Sequence, residues 1–289
     1  MNDNFFTDSL RQSTWMRAFV FAIIFLICTS LGVVVTKLMA SGGDLMLKLA
    51  QGISSLLMFV VPPIVYYLIT RNKRPMHALG FRKVASPAGM LLLAAVLLMY
   101  LSLPVTNQLT SWNEAMKLGG AFETLETWIK NLEDSAAALT KRMLNVSTFG
   151  GLLLNLVVIA LIPAVGEELT FRGVLQQSLT RRMKNPHVAI VISAAIFSFI
   201  HFQFYGFLPR MFLGVLLGYM FYITGSLWTS ILMHFLNNGT AVVLYYLNAR
   251  GVLDIDVEHF GASPSLWLVA ASAVVTAGLV VWSWWKTEK

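Results

Sequence analysis

The stretch PAVGEELTFRGVL, residues 163–175, places two adjacent carboxylates and a guanidinium inside apolar sequence. Glu167, Glu168 and Arg172 carry these charges, and the residues on both sides are apolar enough to lie in a membrane. A charged side chain within a membrane span costs about 2.5 to 3.5 kcal/mol on insertion scales. The three residues therefore mark either a functional site or a buried ion pair that orders helix packing.

The rest of the chain is as apolar as the sequence around this stretch. Of its 289 residues, 57% are hydrophobic and only 12% are charged, whereas soluble domains have about 25% charged residues. Apolar runs of the ~20 residues needed to cross a bilayer recur along the whole length. We therefore expect an all-α, polytopic transmembrane bundle that forms a single membrane domain over residues 1–289 and is surrounded by the lipid bilayer.

Windows of ~19 residues predict about eight spans. They cover residues 15–39, 48–70, 87–109, 147–179, 187–203, 209–223, 227–247 and 265–284. The first span is expected to be retained, because it lacks a clear small-x-small cleavage site. Cys28 is the only cysteine, which excludes an intrachain disulfide and a thiolate metal cluster.

The basic residues predict the orientation of the spans. The net charge of +7 is more typical of cytoplasmic loops than of nucleic-acid binding in so apolar a chain, and we expect no nucleic-acid partner. Lys and Arg cluster in residues 71–83 and 181–184, which predicts that both loops are cytoplasmic. Alternation of the spans then places both termini in the cytoplasm and residues 253–259 outside.

The longest polar segment, about residues 110–146, should also lie outside the membrane. Its apolar residues recur at roughly helical spacing, which predicts amphipathic helices that lie on the membrane surface or cover the bundle. A connector without a role of its own is the alternative.

The pattern EExxxR divides the charges between two faces of a helix. Residues four apart share a face, so Glu168 and Arg172 can pair, with the acid on the favourable N-terminal side. Glu167 points about 100° away around the axis, where its carboxylate is free to accept a proton. Pro163, four residues earlier, is expected to widen the helix and let water reach Glu167.

Two further polar patterns lie in later spans: FSFIH at residues 197–201 and HFLNN at residues 234–238. Glu167 lies 14 residues before Arg181, and His201 lies 14 residues after His187, which places each roughly 21 Å from the cytoplasmic edge if the segments are helical. His234 and Asn238 reach comparable depths, at roughly 10 and 16 Å, once tilt and boundary error are allowed for. We therefore expect three spans to bring their polar groups together in one site.

These residue types favour hydrolysis by an activated water. A Ser-His-Asp chain is absent, so covalent acyl-enzyme chemistry is disfavoured. Glu and His can orient and deprotonate a water, and His and Asn can donate to the oxyanion of a peptide carbonyl. The set Glu167, His201 and His234 could instead bind a divalent metal such as zinc, although the HExxH spacing is absent.

The ordered motifs EELTFR, FSFIH and HFLNN resemble the EExxxR, FxxxH and HxxxN set of the CPBP intramembrane proteases, which include type II CAAX prenyl endopeptidases. The resemblance covers approximately residues 163–240. It implies an eight-helix fold with a site inside the bilayer, a water-activating Glu167 assisted by His201, and an oxyanion stabilised by His234 and Asn238. Glu168 and Arg172 would support the site. The family is labelled metalloprotease in some descriptions and is also described as using a metal-independent glutamate.

The sequence thus predicts an intramembrane endopeptidase with a motif-bearing core over about residues 147–248. Its expected partner is a membrane-associated peptide or protein substrate, and the resemblance indicates a bacterial inner membrane. Two other functions stay open. Buried Glu and His also form relays in proton-coupled transporters, which would show a repeat of spans that this sequence lacks. A catalytically silent scaffold that binds a peptide between its helices is the third possibility.

Overall fold

The computed structural model describes residues 14–39, 41–70, 74–117 and 119–287. Within these ranges the secondary structure is helical and contains no strand, as the all-α prediction requires. The predicted orientation also uses Arg71, Lys73 and the two chain termini, which lie outside the described residues.

The helices are numbered here in chain order. They are α1 (Thr14–Met39), α2 (Gly43–Ile69), α3 (Pro75–Leu79), α4 (Ala88–Leu101), α5 (Leu103–Glu114), α6 (Glu123–Leu144), α7 (Phe149–Met183), α8 (Pro186–Phe199), α9 (Phe207–Thr224), α10 (Leu227–Ala249) and α11 (Leu266–Thr287).

The described residues contain 5 helices that are long and apolar enough to cross a membrane, namely α1, α2, α7, α9 and α11. The pair α4 and α5 becomes a sixth if it is one span bent by 41° at Ser102. Helix α8 is apolar but shorter, and α10 is continuous but includes the polar residues His234, Asn237 and Asn238 in its middle. The chain is therefore a multi-pass membrane protein, while the count of about eight crossings stays a prediction.

The predicted external segments meet at one end of the bundle, which we call the α6 end. Arg142 on α6 pairs with Asp44 at the start of α2, with an N–O distance of 2.7 Å. Lys141 pairs with Glu258 in the connection after α10, at 2.8 Å. Helix α6 thus contacts two of the predicted external loops, while the role of residues 110–146 stays a prediction.

The loops that join the helices at the other end also contact one another; this is the basic end. The Leu227 backbone N–H donates to the Gly80 carbonyl at 2.8 Å, and the Ser226 hydroxyl donates to the Arg82 carbonyl at 2.7 Å. The grouping of loops at two ends is the one that alternating spans require.

Large apolar side chains face both inward and outward, as expected for a protein in lipid. The inner cluster between α4, α9 and α10 is fully or almost fully buried and is composed of Leu91, Ala95, Leu98, Met99, Leu216, Leu217, Met220, Ile223 and Met233. By contrast, Leu38, Val274 and Trp267 are 77%, 72% and 87% exposed. Such exposure suits a hydrocarbon surrounding because there is no hydrophobic driving force to bury these groups from lipid.

Helices α2 and α7 both widen into π-helical turns just before prolines. The wide turns are Leu56–Val60, ahead of Pro62 and Pro63, and Leu156–Leu161, ahead of Pro163. Proline has no N–H, so the carbonyl four residues earlier loses its usual helical donor. The widening next to Pro163 agrees with the expectation from the sequence, and α7 widens again at Leu169–Gln176, just past Glu168.

The Phe59 carbonyl, which lacks its helical donor because of Pro63, accepts a hydrogen bond from α7. The Thr170 hydroxyl donates to the Phe59 carbonyl at 2.8 Å, in a buried contact between the two widened helices. Gly166 allows this approach, because a Cβ at that position would lie 2.9 Å from the Phe59 Cβ. The close packing of α2 on α7 fixes the segment that carries Glu167 and Glu168.

We expect Gly166→Ala to lower the free energy of unfolding by about 1 to 3 kcal/mol, because the added methyl group overpacks the α2–α7 contact. The measurement is the thermal unfolding midpoint of the protein purified in detergent. Gly278→Ala on α11 is the matched control, since a Cβ there meets nothing within 4 Å. Equal midpoints for the two variants would contradict the close approach.

Candidate functional site

Helices α7 and α10 and the turn after α8 bring Glu167 together with two histidines. The Glu167 Oε2 atom lies 3.7 Å from His234 Nε2 and 4.0 Å from His201 Nε2. Glu167 comes from the short α-helical turn between the two widened segments of α7. His201 lies two residues beyond the end of α8 at Phe199, so the helix is shorter than the predicted span of 187–203.

Both imidazole rings are oriented through their Nδ1 atoms. His201 Nδ1 donates to the Phe197 carbonyl at 2.8 Å, and His234 Nδ1 donates to Glu168 Oε1 at 2.9 Å. A carbonyl and an ionised carboxylate can only accept, so each Nδ1 carries its hydrogen. In the neutral rings, each Nε2 is then an unprotonated acceptor that faces Glu167.

Glu168 and Arg172 form the pair that their spacing predicts. Arg172 Nη1 lies 2.7 Å from Glu168 Oε1, and their side chains are 1% and 0% exposed. The other end of the guanidinium donates to the Gly214 carbonyl at 2.8 Å, and its central carbon lies 5.0 Å from the centre of the Phe197 ring. Arg172 therefore joins α7 to α9 and α8, while Glu168 holds His234.

A cavity of about 360 Å³ opens beside Glu167. Its lining combines the predicted site residues with polar and apolar groups from α4, α5, α9 and α10. The residues that line it are Met99, Ser102, Leu103, Thr106, Thr110, Glu167, Phe197, His201, Gly206, Pro209, Arg210, Leu213, His234, Asn237 and Asn238. Glu168 and Arg172 lie behind this lining, in the protein interior.

Asn238 lines the cavity but also has a structural contact. Its Nδ2 atom donates to the Ile159 carbonyl at 3.3 Å. Ile159 is four residues before Pro163, so this carbonyl is the one that the proline leaves without its helical donor. Its Oδ1 atom accepts from Asn237 Nδ2 at 3.0 Å. The amide of Asn238 thus binds α10 to the widened turn of α7 below Glu167.

The region that supplies these residues matches a known family. Residues 149–240 match the family model described as type II CAAX prenyl endopeptidase Rce1-like. This region belongs to the CPBP family. Comparison with curated proteins and with solved structures gives no match. The CPBP region includes every predicted site residue, and its family implies protease activity.

A metal does not fit the CPBP site as its side chains are placed. Ligand atoms about 2.0 to 2.1 Å from a tetrahedral zinc lie roughly 3.3 Å apart. The Glu167 carboxylate is 3.7 and 4.0 Å from the two imidazole nitrogens. Among the described residues, no group of three or more His, Cys, Asp or Glu side chains is close enough to hold a metal ion. Glu167, His201 and His234, the set predicted for a divalent metal, therefore lie farther apart than zinc ligands would.

Arg210 is the charged residue of the cavity lining that the sequence did not single out. It lies in the first turn of α9 and turns into the CPBP site. The available signal was its position: Arg210 is a cation within a span on the side that the positive-inside rule leaves poor in basic residues.

Helix α6 contacts the turn that carries His201. The Tyr205 backbone N–H donates to Glu133 Oε1 at 3.1 Å, and the Tyr205 hydroxyl donates to Glu126 Oε1 at 3.4 Å. An apolar cleft of about 310 Å³ lies between this turn and α6, lined mainly by aromatic side chains that include Trp128, Phe199 and Phe202. The CPBP site thus adjoins a surface suited to apolar groups.

The ion pair behind the site generates a prediction on stability. Arg172→Met should lower the free energy of unfolding by about 3 to 5 kcal/mol, because it leaves the Glu168 carboxylate buried without its cation. Adding Glu168→Gln to this variant should restore part of the loss, since it removes the unpaired charge. Unfolding titrations of the detergent-purified variants measure both effects.

The matched control is the exposed pair of Arg142 and Asp44, whose side chains are 61% and 63% exposed. Arg142→Gln should cost less than about 1 kcal/mol, because solvent screens an exposed pair. A loss as small for Arg172→Met would show that the buried pair does not carry the packing of α7.

Proposed function

We propose that the protein is an intramembrane endopeptidase that hydrolyses a peptide bond with a water activated by Glu167. The observation that carries the proposal is the Glu167 carboxylate facing two histidine Nε2 atoms in a cavity of the CPBP region. The substrate would be a membrane-associated peptide or protein, and the apolar cleft beside α6 would accommodate an apolar part of it.

The spacing of the three side chains suits a water molecule. Gaps of 3.7 and 4.0 Å allow one water to lie within about 2.8 Å of the carboxylate and of an imidazole nitrogen at the same time. Glu167 would take a proton from this water while the oxygen of the water bonds to the scissile carbonyl carbon. His201 would hold the water through Nε2.

The second half of the reaction returns the proton. When the carbonyl re-forms, the carbon–nitrogen bond breaks and the proton on Glu167 passes to the leaving amine. His234 and Asn238 would stabilise the oxyanion, His234 through Nε2 when the ring carries both of its hydrogens. Asn238 would use the second hydrogen of its amide nitrogen. Glu168 and Arg172 would act as positioning residues behind the site.

The first test is the cleavage of a panel of reporter peptides by the detergent-purified protein. Glu167→Gln should reduce kcat/KM by about 10² to 10⁴-fold, the range for loss of a general base. His201→Ala should reduce cleavage as well, because the water loses an acceptor. Glu123→Gln is the matched control, since Glu123 is an exposed acid at the start of α6, away from the cavity.

Two results would count against this mechanism. Unchanged cleavage by Glu167→Gln and His201→Ala would remove both residues from the reaction. Rescue of a deletion phenotype by Glu167→Gln would favour the silent scaffold.

Metal analysis of the purified protein, combined with chelator sensitivity of cleavage, would decide between the glutamate and the metal form of the enzyme.

We also propose that the protein lies in a bacterial inner membrane with both termini in the cytoplasm, so that the basic end is cytoplasmic. Support comes from Arg82 and Lys83 before α4 and from Arg181, Arg182 and Lys184 around the end of α7, because such clusters remain inside. In a Cys28→Ser background, Ser135→Cys on α6 should react with a membrane-impermeant maleimide in intact cells. Lys184→Cys should react only after the cells are opened. The reverse labelling pattern would show that the protein has the opposite orientation in the membrane.

A further inference from the structure

We propose that Arg210 is a catalytic residue of the same site, which binds the negative oxygen that forms on the scissile carbonyl. This inference rests on the proposed hydrolytic function and adds a permanently charged donor to it. The position of Arg210, the bonds of its guanidinium and the engagement of the other donors carry the argument.

The guanidinium of Arg210 is held at the cavity by its neighbours. Its Nη2 atom donates to Gln203 Oε1 at 2.5 Å. Gly206 leaves room for this arrangement, because a Cβ there would lie 2.8 Å from Nη2. Gln203 therefore holds Nη2 in place, and the missing side chain of Gly206 leaves room for the same nitrogen.

The opposite nitrogen of the guanidinium lacks a partner. Arg210 Nη1 is buried and has no hydrogen-bond partner in the part of the chain that the structure describes. A buried donor without a partner costs about 1 to 3 kcal/mol. Its presence beside a candidate active site is explained if a substrate oxygen supplies the missing acceptor during the reaction.

The charge of Arg210 suits this oxygen. Among the residues that line the cavity, Arg210 is the one with a permanent positive charge, and it interacts electrostatically with Glu167 in the cavity and with Glu133 on α6. In the proposed reaction, Glu167 becomes neutral as it takes the proton from water, and the negative charge moves to the carbonyl oxygen. Arg210 would therefore face a negative group throughout the reaction, first the Glu167 carboxylate and then the carbonyl oxygen.

The Nδ1 donors of both imidazoles are already engaged, and so is one of the two amide hydrogens of Asn238. His234 Nδ1 donates to Glu168, and the Asn238 amide donates to the Ile159 carbonyl. His201 Nδ1 donates to the Phe197 carbonyl. Beside the second amide hydrogen of Asn238, the guanidinium thus offers a charged N–H group that can meet a new oxyanion without breaking an existing bond, and a donor fixed in advance is the most effective kind.

The test compares kcat and KM for a cleaved reporter peptide in the wild type, Arg210→Gln and Arg210→Lys. Loss of an oxyanion donor typically lowers kcat by about 10² to 10³-fold, so we expect this loss in Arg210→Gln with little change in KM. Arg210→Lys should recover part of kcat because it keeps the charge. Arg250→Gln is the matched control, since Arg250 is exposed at the end of α10 and bonds only to Tyr246 among the described contacts.

Binding of a phosphinic peptide gives a readout that does not depend on turnover. A phosphinate matched to the cleaved bond has a tetrahedral phosphorus with negatively charged oxygens, and it therefore imitates the transition state. Arg210→Gln should weaken its binding by a factor similar to the loss in kcat, while binding of the uncleaved peptide to Glu167→Gln and to Glu167→Gln/Arg210→Gln should be equal. A structural role for Arg210 would instead lower the unfolding midpoint and weaken both ligands together.

Three outcomes would overturn the inference while leaving the proposed function intact. The first is wild-type kcat in Arg210→Gln. The second is a rise in KM confined to peptides with a free terminal carboxylate and absent for their amidated forms, which would make Arg210 a binder of the chain end. The third is equal weakening of phosphinate and peptide. Absence of cleavage by the wild type, by contrast, would count against the proposed function itself.

Discussion

The buried contact of Arg172 with Glu168 is the interaction on which the rest of the site depends. Two opposite charges in a membrane interior are tolerated because each supplies the partner that lipid cannot. The pair also extends beyond itself, since Arg172 bonds the Gly214 carbonyl of α9 and Glu168 bonds His234 of α10. Three helices are thereby held around one charge pair, and Glu167 is left to face the cavity.

Two prolines create a second set of contacts, which join α7 to α2 and to α10. A missing N–H at Pro63 leaves the Phe59 carbonyl to Thr170, and a missing N–H at Pro163 leaves the Ile159 carbonyl to Asn238. In lipid these carbonyls have no water to bond, so a side chain from a neighbouring helix must satisfy them. The widened turns therefore position Glu167 and join α7 to α2 and α10, which gives Asn238 a structural role beside its proposed catalytic one.

The spacing of residues along single segments made the helices and the buried ion pair predictable from the sequence. The apolar runs identify the helices because ~20 residues are needed to cross lipid, and the i, i+4 spacing identifies the pair of Glu168 and Arg172. The ends of α8 and the bend between α4 and α5 were less accessible, because packing decides where an apolar helix stops. Arg210 was missed for a related reason: a basic residue near a span end looks the same in the sequence whether it reaches outward to the interface or inward to a cavity.

The sequence by itself determined that this is a multi-pass helical membrane protein with CPBP motifs on three separate segments, because hydropathy and helical spacing are properties of single segments. Only the tertiary structure decided which atoms face each other. The Nε2 atoms of His201 and His234 point at Glu167 because Phe197 and Glu168 occupy their Nδ1 atoms. Arg210 reaches the same cavity because Gly206 and Gln203 shape its surroundings. The bond between His234 and Glu168 joins segments 66 residues apart. The contacts that hold His201 and Arg210 are local, but the packing of α8 and α9 against α7 decides that these side chains meet Glu167.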